Sequence, residues 1–181
     1  KMNRLKVVWL CHFSNQSVRA RLPLSKQRFL NFLKNVAGRK KTVYKDFAPW
    51  INNLVKEFEK FKNIELHIIA PHKGLKPFKY EFEMNDIYYH FFKPELSFPF
   101  NKLEDKIYKA QKREFPRNRA LVKYFIKQIQ PDIVNLIGAE NPYYSITALD
   151  VENIPVYLSA QTVYSNPNRK KFVGKVDQLR W

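Results

Sequence analysis

Each thing this sequence is short of closes off a class of protein. It has one cysteine, Cys11, in 181 residues, so neither an intrachain disulfide framework nor a Cys-rich zinc site can form. That cysteine sits inside the apolar run Val7 to Cys11 and reads as a buried thiol suited to a reducing compartment, a poor place for a nucleophile. Glycine is scarce, four residues in all. None lies in Cys11-His12-Phe13-Ser14-Asn15, the turn after the first expected strand, where a dinucleotide fingerprint or a phosphate-cradling loop needs it. A Gly-x-Ser-x-Gly nucleophile elbow is absent too. Val7 to Cys11 is also the longest uninterrupted apolar run, far below the ~20 residues that cross a bilayer. The basic opening from Lys1 to Lys6 is not followed by the apolar core and small-residue cleavage site of a secretory signal. A cytoplasmic protein is the expectation.

Acidic residues are few as well: sixteen Asp and Glu against thirty-three Lys and Arg, a formal charge of +17. The excess is uneven. Arg19, Arg21, Lys26, Arg28, Lys34, Arg39, Lys40, Lys41 and Lys45 follow one another with no acid between them, and Lys102 to Lys127 is a second basic stretch. Such a field attracts nucleic acid, anionic lipid or phosphorylated substrates, and it is equally the mark of a solvated surface.

What is present is a strand–helix alternation. Leu5 to Phe13 reads as a buried first strand and Ile64 to Ala70 as a second, ended by Pro71. Phe78 to Glu83 and Ile87 to Phe92 alternate around Asn85-Asp86 as a hairpin. Ile133 to Ile137 and Pro155 to Ala160 are short strands. Between them, Leu24 to Val36 is a basic amphipathic segment. Ala48 to Phe61 is a helix announced by Asp46 and Pro49. Asn101 to Gln130 is helical in period and broken near Pro116, because proline removes a helix bond and clashes with the preceding turn. A further helix starts at Asn141-Pro142 and runs to Asp150. The class is α/β, a Rossmann-like and mostly parallel sheet with helices on both faces. Residues 1–181 form one such domain. Lys1 precedes a plausible initiator Met2, and Phe172, Val173, Val176, Leu179 and Trp181 carry a helical period to the last residue. The chain is therefore expected to be one piece of a longer protein.

In parallel sheets ligands bind beyond the carboxyl ends of strands, near the point where strand order reverses. The residues to weigh are His12 to Arg21, Pro71 to Gly74, Gly138 to Asn141 and Gln161 to Asn166. The four histidines lack metal-ligand spacing. His67 and His90 alternate with apolar neighbours and read as structural. His12 falls at a strand end, where an imidazole serves as a general base, orients a hydroxyl, or simply packs. Glu140 precedes a helix start whose free N–H groups stabilise a carboxylate or an anion; it either faces a ligand or complements the helix dipole. Ser159, Gln161 and Thr162 offer hydroxyl and amide groups that suit a sugar or cap a loop.

The span Pro131 to Lys171, PDIVNLIGAENPYYSITALDVENIPVYLSAQTVYSNPNRKK, resembles the amino-terminal domain of GT-B fold glycosyltransferases, and more narrowly the retaining family 4 group of polysaccharide assembly. Pro131, Asp132, Ile133, Val134, Ile154, Pro155 and Val156 match that family's frame, and Lys6-Val7-Val8-Trp9 and the element order extend the likeness over nearly the whole chain. The family's two histidines fall on Asn135 and Ile137, and its His-Asp pair on Gln161-Thr162.

The resemblance implies an acceptor-binding domain of a hexosyltransferase-type enzyme acting in polysaccharide or lipid-linked glycan assembly. It implies no metal and no cofactor in this domain, with the nucleotide-sugar donor held by a second domain, so that this stretch alone is inactive. Glu140 and His12 are the catalytic candidates. Asn15, Arg19, Asn135, Gln161 and Thr162 are the acceptor-binding ones. The sugar or lipid-linked acceptor and the donor domain are the expected partners. Lys26, Arg28, Lys34, Arg39, Lys40 and Lys41 would hold an anionic surface, making the protein peripheral at the inner membrane face. The alternative is a basic module without enzymatic activity that binds nucleic acid or an anionic membrane.

Overall fold

The structure, a computed structural model, describes residues 4–25, 46, 48–94, 115–139 and 142–160. In chain order these form β1 (Leu5–Cys11), α1 (Gln16–Arg21), α2 (Pro49–Phe58), β2 (Ile64–Pro71), β3 (Lys79–Met84) and β4 (Ile87–Phe92). They continue with α3 (Pro116–Ile129), β5 (Ile133–Ile137), α4 (Pro142–Ser145), a 3-10 turn (Ile146–Asp150) and β6 (Val156–Ser159).

One six-stranded sheet runs β3-β4-β2-β1-β5-β6. Every neighbouring pair is parallel except β3–β4, which is the expected hairpin. The α/β class and the mostly parallel sheet are thus present. The two-residue turn holds Asn85 and Asp86 at φ 56° and 59°, left-handed values that these short polar side chains tolerate and that match the twist of the flanking strands.

Strand β1 shows why the sheet is covered twice. From Val7 to Cys11 its residues are apolar without interruption because successive side chains feed opposite cores. Val7, Trp9 and Cys11 join Ile51, Val55, Ile68, Tyr89 and Phe91 beneath α1 and α2. Val8 and Leu10 join Ile69, Phe92, Phe125, Val134 and Leu136 beneath α3 and α4. Edge strand β3, Lys-Tyr-Glu-Phe-Glu-Met, alternates half-buried and exposed positions, as a strand at the rim must.

Helix ends depart from expectation. Helix α2 starts at Pro49, but its cap is Ala48 in the left-handed region (φ 52°), and Asp46 instead pairs with Arg19 at 2.6 Å. Helix α3 begins at Pro116, the position where a break was expected, since proline is favoured in a first turn whose N–H groups have no partner anyway. The preceding part of the expected helix lies outside the described residues. The Pro142 helix tightens after one turn into the 3-10 segment. A short helix, α1, occupies the start of the basic stretch that runs from Arg19, where no element was expected. It forms because the Asn15 side chain accepts from the Val18 N–H at 2.8 Å and Val18 plugs the core. The carboxy-terminal helix pattern and most of the Leu24–Val36 segment lie outside the described residues.

Candidate functional site

Strand order reverses beside β1: the chain leaves β1 for β2 on one side and later places β5 on the other. The loops after β1, β2 and β5 therefore converge at one edge. There the His12 imidazole Nδ1 lies 2.8 Å from the Tyr143 hydroxyl, with the two rings edge-on at 5.9 Å. Tyr144, buried, donates to the carbonyls of Ile137 and Gly138 at 3.1 and 2.7 Å and clamps the turn that ends β5. Gly138 needs its missing side chain there, since its φ is 78°. Helix α4 is fastened in turn from α3: the fully buried Asn118 amide donates to the Tyr143 carbonyl at 2.7 Å.

Electrostatics at this edge keep the imidazoles neutral. Burial pushes the His12 pKa down to about 4, helped by the charge of Lys73 and by His72. His72 is pushed down to about 4 as well, by burial and by Arg19, and its Nδ1 accepts the Gly74 N–H at 3.2 Å, which only the neutral ring can do. Burial raises the Tyr143 phenol to about 12, so His12 and Tyr143 form a hydrogen bond between two uncharged groups at neutral pH. A base so weak has little drive to take a proton near pH 7, and His12 is better matched to orienting a hydroxyl than to general-base work.

The nominated residues divide three ways. His12 is at the site. Asn15 and Arg19 border it, but their polar atoms are committed. Asn15 caps α1 and gives its amide to Asn52 Oδ1 at 2.6 Å. Arg19 donates to Ser14 Oγ at 3.1 Å besides pairing with Asp46. Asn135 lies within β5, where its Oδ1 accepts from Ser159 Oγ at 2.9 Å and ties β5 to β6. Glu140, Gln161, Thr162, Lys26, Arg28, Lys34, Arg39, Lys40 and Lys41 lie outside the described residues. Tyr143 and Tyr144 were missed; the adjacent pair directly after Asn141-Pro142 was their only signal, and aromatics at a helix start ordinarily read as core.

His67 and His90 are structural, as expected, and form a chain across the sheet. His67 Nδ1 is 2.9 Å from His90 Nε2, His67 Nε2 is 3.0 Å from Glu65, and His90 Nδ1 is 2.8 Å from Glu81. Burial also pushes the Cys11 thiol far above its ordinary value, as suits an inert core group. Among the described residues no group of three or more His, Cys, Asp or Glu side chains could hold a metal ion. No described helix is long and apolar enough to cross a membrane. A depression of about 390 Å³, lined by Lys123, Lys127, Gln130, Asp150, Glu152 and Asn153 among others, lies at the amino ends of β5 and β6, on the edge opposite His12. Ligands of parallel sheets favour the carboxyl edge, so the His12 edge is the candidate site.

No family model matches this chain, and neither the curated proteins nor the solved structures contain a match to it.

Proposed function

We propose that this chain is the acceptor-binding domain of a nucleotide-sugar-dependent glycosyltransferase of the GT-B fold, related to the retaining family 4 group and serving polysaccharide or lipid-linked glycan assembly. The observation that carries the reading is the neutral pair His12–Tyr143 at the reversal point between β1 and β5. An uncharged imidazole and phenol at a parallel-sheet edge suit a polyhydroxylated acceptor, which hydrogen bonds can hold and orient. The lack of glycine after β1 points the same way, since a phosphate-cradling loop there would favour a nucleotide instead.

In this reading His12 orients the acceptor hydroxyl, with Tyr143 fixing the ring. Glu140, Gln161 and Thr162, which follow β5 and β6 in the sequence, are the further candidates of this reading. The sugar nucleotide is held by a second domain of the same protein, and transfer takes place where the two domains meet. The basic residues Lys26, Arg28, Lys34, Arg39, Lys40 and Lys41 hold an anionic membrane surface that presents a lipid-linked acceptor.

The test uses the protein translated from the complete source reading frame, with a panel of radiolabelled sugar nucleotides and lipid-extracted acceptors. Sugar transfer is expected, and His12→Ala should lower kcat/KM roughly 10–100-fold. No transfer from any donor, together with tight salt-sensitive binding of single-stranded nucleic acid, would overturn the reading in favour of a nucleic-acid module.

A further inference from the structure

Glu65, His67, His90 and Glu81 form a chain of side chains across three strands, β2, β4 and β3. Helix α3 lies against it: the Phe125 ring packs on His90 with centroids 5.2 Å apart, and Tyr88 of β4 stacks on His67 at 4.8 Å. His67 and His90 are only 7% and 8% exposed, so water has little access to a ring nitrogen that lacks a partner. The chain has to satisfy its polar atoms from within. Its contacts are Glu65 to His67 Nε2 at 3.0 Å, His67 Nδ1 to His90 Nε2 at 2.9 Å, and His90 Nδ1 to Glu81 at 2.8 Å. All three have hydrogen-bond length, and each needs one N–H, because a carboxylate only accepts. Two neutral imidazoles bring two N–H groups and leave one contact with no hydrogen in it. Two imidazolium rings bring four, and two N–H groups then meet head-on between the rings. Only a pair carrying three protons fills every contact once, and the count is the same if the third rides on a carboxyl group.

We propose that this chain is a proton-binding site, which takes up one proton beyond those of two neutral rings, shares it between His67 and His90, and refuses a second. With that proton in place, β3 is tied across β4 to β2 by three hydrogen bonds. Without it one bond is missing and the tie is cut, so the edge hairpin is coupled to the middle of the sheet in a pH-dependent way. The charges that face the chain set its affinity. Glu65 and Glu81 favour the proton from either end. Lys6 of β1 and Arg4 just before it oppose it at His67, and Lys79 of β3 opposes it at His90. Strand β4 adds the phenol of Tyr88, and α3 adds Phe125 and Tyr124, the latter with its ring 3.6 Å from the Lys79 ammonium. Burial disfavours charge on either ring, and a charge on His67 opposes one on His90, which makes the second uptake far harder than the first. None of this depends on what binds beside His12.

Nitrogen-15 NMR of the histidine side chains, followed across the pH range in which the protein is folded, reads the proton directly. At the acid end of that range His67 Nδ1 and His90 Nε2 should have shifts midway between those of a protonated and an unprotonated ring nitrogen. As the pH rises they should leave those values together, in one step. Separate steps for the two rings, a ring that reaches full imidazolium, or fixed neutral tautomers throughout would each overturn the proposal. Glu81→Gln separates the proton from mere packing. It keeps an acceptor for His90 Nδ1–H and removes the charge, at a side chain 39% exposed on the edge strand. The shared step should move to lower pH by roughly one unit, and a step that stays in place would overturn the proposal. Glu65→Gln carries the same expectation from the other end and replaces Glu81→Gln if that variant does not fold.

Discussion

His12 and His72 follow β1 and β2, and burial lowers the pKa of both rings. Both have folded pKa values near 4 against an ordinary 6.5, so between those limits the unfolded chain binds protons that the native state refuses. Stability from this source is complete above pH 6.5 and is lost as the pH falls toward 4, by roughly 1–2 kcal/mol per ring after allowance for residual solvation. Thermal midpoints measured stepwise from pH 7 to 4 should fall, and the fall should flatten in His12→Gln and His72→Gln; parallel slopes in wild type and variants would refute this. The His67–His90 chain behaves differently. Burial pushes both rings down, while Glu65 and Glu81 push back. When each ring donates to its carboxylate, the facing nitrogens need one further proton to bond, so a first proton completes the chain instead of breaking it. The structural role of these two rings was legible from their alternation with apolar neighbours. Tyr143 was not legible, since only the approach of α4 to the end of β1 makes it a partner of His12.

The elements themselves were largely readable, because periodicity and breakers act over a few residues. Strand Ile133–Ile137 has the expected limits, the hairpin turns at Asn85-Asp86, and Pro116 sets the start of α3. Ends set by backbone conformation were less readable: Ala48, Phe115 and Gln130 all hold positive φ without a glycine to announce it. Gln130 ends α3 in the left-handed region at φ 50°, its N–H bonded to the Ile126 carbonyl. Glycine is favoured at such a position, so Gln130→Gly should stabilise the protein by about 0.5–1 kcal/mol, read as a rise in urea midpoint at constant slope. A lowered midpoint would mean that the side chain, which borders the depression between α3 and the β6 edge, contributes more than its conformation costs. Helix α3 is otherwise fastened by a two-pronged ion pair. Arg119 Nε and Nη2 meet the Asp150 carboxylate at 2.7 and 2.6 Å and hold that carboxyl below its usual range. The two residues are thirty-one positions apart in the chain, so no local pattern announces the pair.

At the scale of the whole molecule the excess of basic residues is the property that most needs a partner. If the protein works at an anionic inner membrane face, it should sediment with vesicles containing acidic phospholipid and release as salt rises, each Lys or Arg near the surface adding about 1 kcal/mol. Equal binding to neutral vesicles, or none to either kind, would remove the membrane from the functional reading. By itself, the sequence determined the α/β class, the strand positions, the inert cysteine and the missing phosphate loop. These are consequences of side-chain periodicity, proline and glycine, which act on the chain nearby. Only the tertiary structure decided the strand order β3-β4-β2-β1-β5-β6, the reversal beside β1 and the meeting of His12 with Tyr143. It likewise committed Asn15, Arg19 and Asn135 to structural bonds. Those outcomes join residues far apart in the chain, and the burial that fixes their partners exists only once both cores have closed on the sheet.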